Sequence, residues 1–211
     1  MAIDEVQLKI GAVALNGNLE IPENATKIVV FAHGSGSGRH SPRNQFVAKE
    51  LQKEGLATLL VDLLTEAEEG VDLQTAHLRF DISLLAERLR GITTWLATHP
   101  RTRLLKVGYF GASTGAAAAL VAAAQEKNVF AVVSRGGRPD LAANSLSKVS
   151  APVLLLVGGE DFPVIEMNEE ALRKLSCEKQ LMIIPGATHL FEEPGTLEQV
   201  AHLAAKWFTK S

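Results

Sequence analysis

Val107-Gly-Tyr-Phe-Gly-Ala-Ser-Thr-Gly115 is an apolar run that ends in Gly-x-Ser-x-Gly and leads at once into the alanine-rich residues 116–124. This order predicts a buried strand, a sharp turn and a tightly packed helix, which is the setting that holds a serine out of a sheet as a nucleophile. Gly111 and Gly115 suit such a turn, because strand and helix pass so close there that side chains would collide. The stretch predicts Ser113 as a nucleophile, and a purely structural turn is the alternative.

Short apolar runs alternate with longer periodic segments along the rest of the chain. Central runs such as 28–31 and 153–157 are continuously apolar, which is typical of parallel strands covered on both faces. The alternation predicts a right-handed, doubly wound α/β sheet. We expect strands over residues 5–9, 12–21, 27–32, 57–62, 105–110, 129–134, 152–157 and 180–184, and helices over 42–54, 81–98, 114–126, 140–148, 164–175 and 196–209.

Two segments depart from this alternation. The first two strands have no helix between them, and Asn16-Gly-Asn18 is a turn signal, so an antiparallel pair is expected at one sheet edge. Residues 63–78 are acidic and the least regular part of the chain. We expect them at the surface near the mouth of the site, too short for a separate lid domain. Whether they gate the site stays open.

Length and composition are those of a single globular domain over residues 1–211. A net charge of −3 and a pI near 6.1 give no reason to expect nucleic acid or an anionic membrane as a partner. The N-terminus lacks the apolar segment of a signal peptide. One cysteine, Cys177, allows no intrachain disulfide. These features predict a cytoplasmic protein.

Loops at the carboxyl ends of parallel strands are where ligands bind in such sheets. Asp161, in Gly158-Gly-Glu-Asp161, is placed to orient a histidine; Glu160 is the second choice, and an N-cap role is the alternative. His189 follows the last strand and is the expected base among six histidines, with His40 as its rival. The chain order Ser113, Asp161, His189 predicts a catalytic triad.

The loop over residues 33–44 carries three glycines in five positions. Its backbone N–H groups can point into a cavity and stabilise an oxyanion. We expect the N–H of Ser35 to pair with the N–H of Thr114, the residue after the nucleophile. A flexible Gly/Ser loop is the alternative.

Several cationic side chains also follow strands. A guanidinium can hold a carboxylate with two hydrogen bonds, so these residues predict an anionic substrate. Salt bridging to Asp140 or Glu160 is the alternative. The candidate substrate-binding residues are Arg135, Arg138, Arg39 and His40, with Arg43 nearby.

These motifs resemble the α/β-hydrolase superfamily over essentially the whole chain. Within it, the small size and the loop His33-Gly-Ser-Gly-Ser-Gly-Arg-His-Ser41 resemble compact dienelactone-hydrolase-like proteins. The resemblance implies a mostly parallel sheet of about eight strands with helices on both faces, no cap domain, no cofactor and hydrolysis through an acyl-enzyme. Dienelactone hydrolases proper use a cysteine in the turn, whereas this chain has Ser113, so a carboxylesterase or lactonase is expected.

The expected activity is therefore cleavage of small carboxylic esters by a serine hydrolase. The alternatives are a lactone or thioester hydrolase acting on an anionic substrate, and a non-catalytic interaction module that keeps the fold. No metal-ligand spacing is present in the sequence. The expected partner is a small-molecule ester, with neither nucleic acid nor membrane. Monomer and homodimer both remain open.

Overall fold

An eight-stranded sheet organises the computed structural model, which describes residues 3–211. The strand order is β1-β2-β4-β3-β5-β6-β7-β8. β1 pairs antiparallel with β2 and β2 antiparallel with β4, and all further pairs are parallel. The strands are β1 Asp4–Ile10, β2 Val13–Glu20, β3 Lys27–Ala32, β4 Ala57–Val61, β5 Lys106–Ala112, β6 Val132–Arg135, β7 Val153–Gly158 and β8 Lys179–Ile184.

Helices cover both faces of this sheet. One face packs against the first and last helices, and the other packs against the third, fourth and fifth. The helices are α1 Pro42–Lys53, α2 Glu66–Thr75, α3 Ile82–Thr98, α4 Thr114–Gln125, α5 Phe162–Lys174 and α6 Thr196–Lys210. The central strands β4 and β7 are buried along their whole length, as continuously apolar strands between two helical layers must be.

The parallel strands end at a common edge. Ala32 at the end of β3 lies beside Gly111 of β5, Ala112 lies beside Arg135 of β6, and Arg135 lies beside Leu156 of β7. Residues that follow these strands therefore emerge side by side. The candidate residues were predicted from the sequence to lie at this edge.

The antiparallel pair at the sheet edge is confirmed, but its turn is not where the sequence signal lay. Asn16-Gly-Asn18 lies inside β2, with Gly17 opposite Val6 and Val61. The chain turns instead at Gly11 and Ala12, where Gly11 has φ +58°. Glycine adopts this left-handed conformation without the cost of a Cβ clash, so the turn forms at Gly11 rather than at Asn16-Gly-Asn18.

Two other segments differ from expectation. Residues 140–148 were expected as one helix but form two short 3₁₀ turns, Pro139–Ala142 and Leu146–Lys148. Asn144 and Ser145 lie between them, and such side chains favour local turns over helix. Residues 63–78 were expected to be irregular but contain α2, which is capped by Thr65 and Glu68.

Candidate active site

Ser113 lies at a sharp turn between β5 and α4. Its backbone has φ 50° and ψ −120°, a conformation that residues with side chains rarely adopt. A Cβ on Gly111 would lie 2.4 Å from the Ala116 Cα, and one on Gly115 would lie 2.2 Å from the Ala32 carbonyl oxygen. The two glycines are therefore required by close packing of strand, turn and helix, as the sequence predicted.

The loop after β3 passes directly beside this turn. A Cβ built on Gly34 would lie 3.0 Å from the Ser113 Cβ. The hydroxyl groups of Ser35 and Thr114 are 3.2 Å apart, so the structure brings the two expected oxyanion residues together. Thr114 begins α4, where the first N–H groups of a helix have no partner within the helix. Neither Ser35 nor Thr114 donates its N–H to an acceptor within residues 3–211.

His33 fixes the position of the same loop. Its Nδ1 lies 3.0 Å from the Gly34 carbonyl oxygen, and its Nε2 accepts a hydrogen bond of 3.0 Å from the Leu63 N–H. This pattern requires the neutral tautomer with the proton on Nδ1. Burial lowers the pKa of His33, against smaller opposing contributions from the Gly34 hydrogen bond and the Asp62 carboxylate. These contacts make His33 a brace for the loop that carries Ser35.

Asp161 and His189 form a close pair. The Asp161 Oδ2 lies 2.6 Å from the His189 Nδ1. Asp161 precedes α5 but makes no side-chain capping hydrogen bond, so its carboxylate serves the histidine rather than the helix. The Glu160 N–H donates to the Ala187 carbonyl, and a Cβ on Gly158 would lie 2.4 Å from that same oxygen. The acid turn and the histidine loop are thus packed together.

A shared turn lies between Ser113 and His189. The Ser113 N–H donates to the Arg135 carbonyl, and the Arg138 N–H donates to the Ser113 carbonyl, each at 3.2 Å. Gly136, at φ +51°, lies beneath the histidine, since a Cβ there would be 3.5 Å from the ring atoms Cε1 and Nδ1 of His189. The serine and the imidazole therefore flank one turn. Asp161 holds Nδ1 of His189, and Nε2 has no hydrogen-bond partner within residues 3–211.

Most of the candidate cationic residues have acidic partners. Arg138 makes two hydrogen bonds to Asp140, at 2.9 and 2.7 Å, as the salt-bridge alternative expected. Arg39 pairs with Asp62. Arg43 Nη1 lies 2.8 Å from Glu192 Oε1. His40 is exposed on the loop after β3.

Arg135 differs from these residues because no acid within residues 3–211 pairs with it. Its side chain is 8% exposed, and its buried Nη1 has no hydrogen-bond partner among the same residues. The guanidinium carbon lies 6.0 Å from the centroid of the Phe110 ring. Burial, together with the positive charge of Arg43, lowers the pKa of Arg135 to about 10, so it stays charged at neutral pH.

Sequence reasoning missed a hollow beside the oxyanion residues, under α2. Its walls include Leu64, Leu73 and Leu85, and an ion pair between Asp72 and Arg79 with a 2.6 Å contact. The signal for α2 was present as Thr65-Glu-Ala-Glu68, in which Thr65 and Glu68 cap each other's backbone N–H groups. The sequence contains no apolar stripe that would indicate this helix, because its buried residue is Asp72.

Residues 3–211 show neither a metal-binding cluster nor a membrane-spanning helix. Residues 3–211 contain no group of three or more His, Cys, Asp or Glu side chains arranged to hold a metal ion. No helix in this part of the chain is long and apolar enough to cross a membrane.

Known proteins of similar structure match nearly the whole chain. A dienelactone hydrolase from Anabaena variabilis, solved as a crystal structure, is 62% identical, with a TM-score of 0.98 over 99% of this chain and 97% of its own. Est1E from Butyrivibrio proteoclasticus is 15% identical, with a TM-score of 0.82 over 98% of both chains, and shows the fold alone. The expected α/β-hydrolase fold without a separate cap is confirmed for the residues described.

The sequence matches agree on the family. A longer relative from Mycobacterium tuberculosis, provisionally named a phosphoribosyl transferase, is 60% identical over 206 residues. That match covers 97% of this chain and 46% of the relative, so the chain spans about half of the relative's length. The model of the dienelactone hydrolase family matches residues 15–209. The chain therefore belongs to the dienelactone hydrolase family.

Proposed function

We propose that the chain is a serine hydrolase that cleaves small carboxylic esters through an acyl-enzyme on Ser113. The observation that carries the proposal is the 2.6 Å contact between Asp161 and His189, beside a serine in a strained turn. Ser113 is half-buried. An aspartate–histidine pair close to a serine is the arrangement that activates a nucleophile at neutral pH.

Each residue has a defined part in the proposed reaction. His189 Nε2 takes the Ser113 proton as the serine Oγ attacks the ester carbonyl. Asp161 holds the imidazole with its proton on Nδ1 and stabilises the imidazolium. The N–H groups of Ser35 and Thr114 hold the oxyanion, each worth about 3–4 kcal/mol of barrier. The alcohol then leaves with the proton from His189, and water activated by the same residue releases the acid.

Turnover of p-nitrophenyl acetate by the wild type and by Ser113→Ala tests the proposal. We expect hydrolysis by the wild type and at least about a thousand-fold loss of kcat in the variant, since the serine is the atom that forms the covalent bond. Ser145→Ala, between the two short 3₁₀ turns and outside the site, is the matched control and should retain activity. Undiminished turnover by Ser113→Ala would refute this mechanism. No turnover by a folded wild type would favour the non-catalytic module.

The transferase name of the longer relative does not extend this proposal. That name was given to a protein about twice the length of this chain, and our proposal concerns only the matched portion. The Anabaena variabilis relative is named for the hydrolysis of a lactone, which is a cyclic ester. The same serine chemistry would open a lactone or cleave a thioester, and these remain alternatives within the proposal.

Arg135 favours a second candidate, an ester or lactone with an anionic group. A buried guanidinium without a carboxylate partner costs free energy, and an anionic substrate would supply the missing partner. The Arg135 backbone carbonyl accepts the Ser113 N–H, so this residue belongs to the turn that holds the nucleophile in place.

Arg135→Met separates substrate binding from loop bracing. If the arginine serves the substrate, the variant should raise KM for an anionic ester at least about tenfold. It should also leave KM for a neutral ester unchanged and raise the melting temperature, because a desolvated charge is removed. Arg138→Met, which loses only an exposed pair with Asp140, is the control. Equal effects on anionic and neutral esters, together with a lower melting temperature, would show that Arg135 braces the loop.

A further inference from the structure

The hollow under α2 opens at the oxyanion residues. Ser35 and Thr114 form part of its wall, together with Gly34, whose backbone touches the nucleophilic turn. The remaining wall comes from other residues of the loop after β3, from the residues that follow β4, from α2, and from Arg79 and Leu85. A substrate whose carbonyl oxygen is bound by the two N–H groups thus has this space directly beside its carbonyl carbon.

The hollow and His189 lie on opposite sides of Ser113. In the sheet order, β5 carries the serine, and β3 and β4, which precede the hollow, lie to one side of it. Strands β7 and β8, which precede Asp161 and His189, lie to the other side. The histidine must reach the leaving alcohol to protonate it. The alcohol therefore departs on the histidine side, and the acyl chain extends toward α2.

The lining of the hollow fits a short apolar chain. Leu64, Leu73 and Leu85 contribute apolar surface. The charged part of the wall comes from the Asp72–Arg79 ion pair, Asp62 and Glu69. The cavity volume of the hollow is about 40 Å³. One group the size of water requires about 10–15 Å³, so about three carbons fit beyond the carbonyl. A longer chain would have to displace or desolvate these charged groups.

We propose that this hollow is the acyl subsite, sized for acyl groups up to about butyryl, and that Leu64 and Leu73 determine its chain-length preference. This inference rests on the proposed function. It adds the class of acyl group that the enzyme accepts and the side chains that select it.

Acyl chain length at a constant leaving group tests the subsite. p-Nitrophenyl acetate, butyrate and octanoate are assayed with the wild type and two variants, Leu64→Trp, which fills the hollow, and Leu73→Asp, which puts a charge on its exposed rim. Leu104→Trp and Leu104→Asp are matched controls, since Leu104 is 86% exposed and does not line the hollow. The readout is the ratio of kcat/KM for two esters on one preparation, which partial unfolding does not change.

The wild type should prefer butyrate over acetate by about tenfold and lose activity with octanoate. Leu64→Trp should remove the butyrate preference while keeping acetate turnover within about threefold, and Leu73→Asp should reduce it. The Leu104 variants should match the wild type. An unchanged ratio in both test variants, or a wild type that prefers octanoate, would overturn the subsite while leaving the esterase proposal intact. A wild type inactive on all three esters would overturn both.

Discussion

Ser113 holds a backbone conformation that costs about 1–3 kcal/mol for a residue with a side chain. Backbone hydrogen bonds on both sides keep it there, from its own N–H to the Arg135 carbonyl and from the Arg138 N–H to its carbonyl. The strain presents the side chain at the end of the sheet, beside the loop that carries Ser35. The local sequence predicts this conformation because Gly111 and Gly115 have no side chains, which allows the strand, the turn and the helix to pass this close to one another.

The environment of Arg135 shows where residue-level prediction from sequence ends. Arg39, Arg43, Arg135 and Arg138 all lie in loops or at strand ends, and nothing local distinguishes them. Three have acidic partners, and for Arg39 and Arg43 those partners, Asp62 and Glu192, lie far away in the sequence. Pairing of this kind depends on tertiary contacts that composition and spacing do not encode.

His33 predicts a pH dependence of stability. Its folded pKa lies below the ordinary value near 6.5, so the unfolded chain binds more protons at mildly acidic pH. Its contribution to the free energy of unfolding is therefore fully present above about pH 6.5 and is lost as the pH falls through that value toward the folded pKa. Protonation of Nε2 also removes the acceptor of the Leu63 N–H.

Urea unfolding between about pH 5 and pH 8 measures this contribution. The wild type should lose more stability on acidification than His33→Asn, because the variant lacks the titrating group. His202→Asn, at an exposed position of α6, should retain the wild-type slope. Parallel curves for the wild type and His33→Asn would contradict the assignment of a buried neutral histidine.

At the level of elements, strands and helices that bury an apolar face were the predictable part. β3 runs over the expected residues 27–32, and α3 runs from Ile82 to Thr98 against an expected 81–98. The sequence did not predict α2, because the stability of this helix comes from polar contacts: the Thr65–Glu68 cap, the Glu68–Arg88 pair and the Asp72–Arg79 pair. The prediction of one helix over residues 140–148 was wrong for the converse reason. The segment has helix-compatible residues, but local turns satisfy its backbone hydrogen bonds.

Two glycine substitutions test the packing of these elements. Gly115→Ala places a Cβ 2.2 Å from the Ala32 carbonyl oxygen, and backbone on both sides leaves it no room. We expect at least about 2 kcal/mol of destabilisation and loss of esterase activity. Gly70→Ala, in α2, meets nothing within 4 Å and should gain up to about 1 kcal/mol from helix propensity. Denaturant unfolding of both variants decides the matter, and a tolerated Gly115→Ala would refute the close strand–helix contact.

The whole molecule depends on a sheet that is buried on both faces. Leu155 in β7 is 0% exposed and belongs to the core on the α3–α5 face, while its neighbour Leu156 belongs to the core on the α1–α6 face. Continuous apolar strands predicted this two-layer covering before any tertiary information. The order in which the strands pair was not predictable from their sequences, because every central strand is similarly apolar.

Leu155→Ala measures how much one face of this core contributes. Truncation of a fully buried leucine leaves a cavity, so we expect the free energy of unfolding to fall by about 2–5 kcal/mol. Leu104→Ala, at an 86% exposed position, should change it by less than about 0.5 kcal/mol. Chemical denaturation of both variants compares the two. Equal small changes would show that β7 is not covered on both faces.

Labelling with a fluorophosphonate probe tests the central claim, because the probe reacts with an activated serine regardless of the true substrate. The wild type should gain the mass of one probe, peptide mapping should place it on Ser113, and Ser113→Ala should remain unlabelled. Asp161→Asn should label far more slowly, since its side chain no longer holds His189 in the required tautomer. A folded wild type that takes up no label, or takes it up at another residue, would contradict the assignment of Ser113 as the nucleophile.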